Sequence, residues 1–332
     1  MLGAESMLLC CPEPSVSLEN IEDDSPCSAS HGFLSAELDA AAAAFSCDFD
    51  GNPHLGLVSS ADCREALRAI HAKQGEFMPD GDKIVAHQGE EVYAHRKKVI
   101  TCMADVCQKL RFADSTFFAA VNILDRFLSV QAVKANEKVL FPLIGTACVS
   151  IAAKMSEVFP PKMETLQNFM GENLPFETAH LQRMEMGILN SLEWKMACIT
   201  PFTALCYIVK LLRDSYECMS REEAKVAYAT SMSAMKKFVY SREYVGYSAT
   251  EIAAASFLRS ATCQDQEMCC HDLVMQLNGG RKRSHDGTLV TLCDCMANMT
   301  ALDPVGPWTA EYPNKRHISR SLSPTTPLGY YL

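Results

Sequence analysis

The chain lacks the features that mark a nucleic-acid binder, a membrane protein or an enzyme of a common class. Its 30 basic residues are outnumbered by 40 acidic ones, and the resulting net charge of -10 repels a phosphate backbone. The longest apolar stretch, Val139 to Ala153, falls short of the roughly 20 residues that a bilayer-spanning helix needs. The first residues carry no basic n-region, and the apolar run Met7 to Cys11 is too short for the core of a signal peptide. There is no glycine-rich phosphate loop, no G-x-S-x-G and no H-E-x-x-H, and the histidines do not gather around a nucleophile. The 16 cysteines contain no C-x-x-C pair. Cys148, Cys198 and Cys206 sit singly in apolar helical stretches, as reduced thiols of an intracellular core do. Cys263, Cys269, Cys270, His271, Cys293 and Cys295 are of zinc-binding type, but adjacent Cys269 and Cys270 point to different sides of a helix. No metal and no other cofactor is expected.

What is present is apolar periodicity of helical type. With 332 residues, 48 % of them hydrophobic, the chain can build one large or two ordinary domains. Residues 1–61 are expected to be a mostly disordered arm: Pro12 to His31 is rich in Pro, Ser, Glu and Asp and has no aromatics. Asp62 is a plausible N-cap for a helix over Cys63 to Gln74. Val92, Val99, Met103, Val106 and Leu110 form a stripe predicting a helix within Glu90 to Leu110, and Asp114 is placed to cap another over Ser115 to Val130. Val139 to Glu157 is apolar almost all round and carries small residues, so it is predicted to be the central helix of a bundle. Helices near Met163 to Met170 and Glu177 to Leu192 complete a set of five.

A second set begins at the Thr200, Pro201 cap pair: Phe202 to Leu212, Arg221 to Tyr240, Ala249 to Ser260, Gln266 to Leu277 and Val290 to Met299. The predicted class is all-α, with domains at 62–197 and 198–302 and a disordered tail at 303–332.

Three segments then give a family. VNILDRFLSV (Val121 to Val130), GTACVSIAAK (Gly145 to Lys154) and LQRMEMGILNSLEWKM (Leu181 to Met196) resemble the second, third and fifth helices of the cyclin box. SATEIAAASFL, ending at Leu258, resembles the middle helix of a second cyclin fold as found in plant D-type cyclins. The resemblance implies two tandem five-helix cyclin folds and no catalysis by the chain itself. It also implies a regulatory subunit that binds and activates a cyclin-dependent kinase. Lys154 and Glu185 match the family's pair that holds the kinase's mobile helix, and Leu189, Trp194 and Met196 match apolar kinase contacts.

Arg96 and Asp125 match a buried ion pair of the family. The substrate-docking groove on the first helix matches HRKKVITCMAD, where His95, Lys98 and Cys102 replace the apolar types of the family and Val99 and Asp105 keep theirs. Leu9, Cys11 and Glu13 spell LxCxE, which D-type cyclins use to engage retinoblastoma-type pocket proteins. Ser25, Ser323 and Thr326 each precede proline and are candidate phosphorylation sites. Gly279 to Arg283, GGRKR, is either a nuclear localisation signal or a solvated turn, and nucleus and cytoplasm are the expected compartments. The alternative to kinase activation is a cyclin-fold interaction or transcription-regulatory protein. A direct DNA binder would need a basic face, against the charge balance.

Overall fold

The computed structural model describes residues 59–133, 140–169, 176–277 and 285–298. Every regular element among them is helical. The helices are α1 (Ser60–Lys73), α2 (Gly81–Gln88), α3 (Val92–Lys109), α4 (Asp114–Val130), α5 (Phe141–Ser156) and α6 (Met163–Phe169). They continue with α7 (Thr178–Ser191), α8 (Pro201–Asp214), α9 (Arg221–Phe238), α10 (Ala249–Leu258), α11 (Gln264–Leu277) and α12 (His285–Ala297). Residues 1–58, 278–284 and 299–332 lie outside the described residues, so LxCxE, GGRKR and the three proline-directed sites do too.

Two helices organise the packing. α5 is buried from Phe141 to Ala153 and touches α3, α4, α6 and α7. Its small residues permit this: a Cβ at Gly145 would lie 2.5 Å from Val99 Cγ1 on α3, so only glycine lets the two helices approach so closely. α10 has the same role further along the chain, buried from Ile252 to Phe257 and touching α8, α9, α11 and α12. Pro142 and Pro201 fall in the first turns of their helices, where a missing N–H leaves nothing unpaired.

Local details differ from expectation at two helix starts. Ser59, not Asp62, caps α1, its Oγ accepting from the Asp62 N–H at 3.2 Å. Asp114 lies within α4; Glu157, beyond the end of α5, does the capping, its Oε1 accepting from the Ala113 N–H at 2.9 Å and from the Thr116 hydroxyl at 2.5 Å. α2 has no counterpart in the periodicity reading. Asp80 caps it through the Lys83 N–H, and Gly89 closes it at φ 74°, but its eight residues begin with glycine and offer only Ile84 as a fully buried anchor.

Buried polar contacts join the early helices to the later ones. Arg96 on α3 and Asp125 on α4, 1 % and 0 % exposed, form a bidentate pair at 2.6 and 2.7 Å. Arg96 Nη1 also donates to the Val239 carbonyl at 2.7 Å, just past α9, and the guanidinium lies 5.6 Å from the Tyr244 ring centre. The ion pair thus ties together α3, α4 and the end of α9. α1 packs on α8, α10 and α11, anchored by Gln74, whose Oε1 accepts from the Thr250 N–H at 3.1 Å and hydroxyl at 3.0 Å.

Candidate functional site

Lys154 occupies the last turn of α5, where a cation suits the helix dipole, and Glu185 sits mid-way along α7, which packs on α5. The Lys154 ammonium donates to both Glu185 carboxylate oxygens at 2.8 Å. The lysine side chain is 45 % exposed and the glutamate 8 %. A pair this open to water contributes about 1 kcal/mol or less to stability. Its effect is positional: the buried carboxylate fixes an ammonium that still faces outward.

Exposed apolar side chains sit next to that pair along the chain. Met155 and Met186, its immediate chain neighbours, are 51 % and 46 % exposed, and Val158 and Phe159, just past α5, are 83 % and 89 % exposed. Sequence reasoning missed these four. The available signal was the segment MSEVFPP, which places three large apolar residues at a helix exit that polar residues would ordinarily occupy.

Leu189, one turn beyond Glu185, and Met196 are partly buried against the core, whereas Trp194 is 58 % exposed. The backbone that presents Trp194 is left-handed at Glu193 and Trp194, φ 52° and 58°, at a cost of roughly 1–2 kcal/mol for each non-glycine residue. Hydrogen bonds hold it there: Trp194 N–H to Leu189 O at 2.9 Å, the indole N–H to Asn190 Oδ1 at 3.1 Å, and Arg126 Nη2 to Lys195 O at 2.8 Å. Exposed large apolar side chains next to a fixed charge pair are of the kind found on protein-docking faces.

The first-helix groove is built differently from the expectation. Val99 faces the core at 1 % exposure, beneath Gly145, and so does not line an accessible surface. His95 stacks on Phe141 with ring centres 5.1 Å apart and its Nδ1 lies 3.0 Å from Glu91 O. Lys98 and Asp105 are exposed and Cys102 is half-buried. Among the described residues no three His, Cys, Asp or Glu side chains converge as metal ligands, and no helix is long and apolar enough to cross a membrane.

This helical frame has known counterparts. Residues 65–197 match the family described as cyclin, N-terminal domain. A viral cyclin from herpesvirus saimiri superposes with a TM-score of 0.56 at 21 % identity, covering 70 % of this chain and 96 % of its own, which shows the fold. Residues 65–197 thus carry a cyclin N-terminal domain.

Among cyclins, its similarity lies with the D type. Cyclin-D4-1 of Arabidopsis thaliana is 28 % identical over 206 residues, 61 % of this chain and 65 % of the relative. G1/S-specific cyclin-D1 of Homo sapiens is 30 % identical over 151 residues, 46 % of this chain and 50 % of the relative. Cyclin-D3-1 of Oryza sativa subsp. japonica is 27 % identical over 290 residues, 82 % and 80 % of the two chains. The first two matches thus span less than two thirds of the relatives' length.

Proposed function

We propose that this chain is a regulatory subunit, not itself an enzyme, that binds and activates a cyclin-dependent serine/threonine kinase and promotes the G1/S transition through phosphorylation of retinoblastoma-type proteins. One observation carries the reading: the Lys154–Glu185 pair, 2.8 Å apart, lies beside the outward-facing Met155 and Met186, with Val158, Phe159 and Trp194 also exposed. A kinase is active when its mobile helix is held inward so that the helix glutamate pairs with the nucleotide-binding lysine. A rigid face that binds only that arrangement shifts the kinase toward it by differential affinity. Similarity to a protein named for G1/S specificity supports the stage of action. In this reading each group of helices, one around α5 and one around α10, is a cyclin fold.

LxCxE at Leu9, Cys11 and Glu13, followed by Glu19, Glu22, Asp23 and Asp24, suits an extended peptide that seats Leu and Cys in a groove with its acids at a basic rim. The pocket protein would thus be recruited through the motif at residues 9–13, with the subunit acting in nucleus and cytoplasm. Lys154→Glu, which places two carboxylates together on the docking face, is expected to weaken kinase binding at least ~30-fold, measured by calorimetry against the purified kinase. Unchanged affinity in a folded variant would refute the assignment.

The second reading, a cyclin-fold interaction protein without kinase activation, is favoured by the first-helix groove, where Val99 is buried and Lys98 is exposed. An inward valine and an outward lysine do not offer there the apolar side chains that an apolar anchor requires.

A further inference from the structure

We propose that the cavity bounded by the turn between α3 and α4 and by the end of α9 is a binding site for a small organic anion with a flat aromatic body. Its volume of about 620 Å³ falls within the roughly 300–1,000 Å³ that small-molecule sites occupy. None of the residues that line it belongs to the Lys154–Glu185 face or to the first-helix groove, so the site does not rest on the kinase reading.

The turn supplies one wall. Its backbone closes α3, with Arg111 N–H donating to the Gln108 carbonyl at 3.1 Å and Phe112 N–H to the Cys107 carbonyl at 2.9 Å, and Arg111 and Phe112 both line the cavity. Arg111 does so at a left-handed φ of 54°, in the conformation on which a helix usually ends with glycine. A strained, cationic residue kept at a cavity edge, where glycine would serve the turn better, points to a role beyond the turn. Phe117, in the first turn of α4, and Tyr240, just past α9, complete the aromatic lining. Rings on three sides suit the faces and edges of a flat apolar body.

The charge of the lining selects the ligand's sign. Two cations, Arg111 and Lys236, and one carboxylate, Asp114, face the cavity, on a chain whose net charge is -10. The carboxylate is already engaged: Lys236 Nζ lies 2.6 Å from Asp114 Oδ1, which also ties α9 to α4. Glu157 is turned away to the Ala113 N–H and the Thr116 hydroxyl. Burial, with Glu157 and Asp114 adding to it, pushes the Cys107 thiol up to about 12, so this lining residue brings no negative charge at neutral pH. Burial, with Asp105 and Cys102 beside it, likewise pushes the Tyr240 hydroxyl up to about 12, and it stays protonated as a donor. The balance left for a ligand is cationic, and a carboxylate or sulfonate answers it.

The test titrates 2-naphthoate, and in parallel the similarly shaped cation 2-naphthylmethylammonium, into the folded full chain, with binding read by saturation-transfer NMR and calorimetry. Naphthoate should saturate one site and bind at least ~10-fold more tightly than the cation, and Lys236→Gln and Arg111→Gly should each weaken it at least ~5-fold. Arg111→Gly removes the cation at a position where glycine relieves strain, so the variant is expected to fold, as its melting curve would show. Phe159→Ser, on the exposed apolar face near Lys154, should leave the affinity unchanged. Equal binding of the two probes, unchanged affinity in folded Arg111→Gly, loss of binding in Phe159→Ser, or no saturable binding of naphthoate would each overturn the assignment.

Discussion

Replacing Asp125 with Asn keeps the shape of the side chain and removes the charge that compensates Arg96. The guanidinium, 1 % exposed, would keep its bond to the Val239 carbonyl but lose its partner anion and one of two strong hydrogen bonds. Breaking one side of a buried pair costs about 3–5 kcal/mol, a large share of the roughly 5–15 kcal/mol that hold an ordinary domain together. At about 2–4 °C per kcal/mol for a chain of this size, the midpoint should fall by about 10 °C in a thermal melt followed by far-ultraviolet circular dichroism.

The double variant Arg96→Met, Asp125→Leu removes both charges and should regain much of the loss, because no ion remains buried. Recovery should stop about 1–3 kcal/mol short of wild type, because the Val239 carbonyl loses its donor. An Asp125→Asn protein within 1 kcal/mol of wild type would refute the reasoning, as would a double variant no more stable than the single one.

Gly145→Ala should destabilise by about 1–3 kcal/mol in urea unfolding, since the new methyl meets Val99 Cγ1 at 2.5 Å, and Val99→Ala in the same chain should relieve part of that strain. His180 gives a pH dependence. Burial, with Arg183 adding to it and Glu177 opposing, holds its pKa below the ordinary histidine value, and its Nδ1 accepts from the Glu177 N–H at 3.0 Å, which requires a neutral ring. Because the folded pKa is the lower one, the stability it contributes is present above the unfolded value of about 6.5 and is lost as pH falls toward the folded value. His180→Gln should flatten the melting temperature between pH 7 and pH 5 relative to wild type.

The long helices were legible because their apolar spacing repeats over many residues, as in Val99, Met103 and Val106 of α3, and because Pro142 and Pro201 mark first turns. α2 was not, since eight residues offer too few apolar positions for a period to show. Side-chain caps from distant sequence were equally hidden: Glu157 reaches Ala113 and Thr116 only once α4 and α5 are packed. The Lys154–Glu185 pair became recognisable through the motifs around it, as its spacing of 31 residues carries no local signal. The outward-facing apolar side chains of Met155, Val158, Phe159 and Met186 needed exposure to be known, and exposure is a property of packing rather than of spacing. Val99 illustrates the converse: a family position suggested a groove, and the close approach at Gly145 turned the side chain inward.

The most direct measurement is phosphorylation of a retinoblastoma-type pocket protein by a purified cyclin-dependent kinase, with and without this chain. Phosphorylation should rise with the wild-type subunit, fall to the level of kinase alone with Lys154→Glu, and drop selectively for the pocket protein, but not for histone, when the residues before Asp48 are removed. A folded wild-type subunit that binds the kinase yet leaves its rate unchanged would contradict activation and leave the interaction-protein reading in its place.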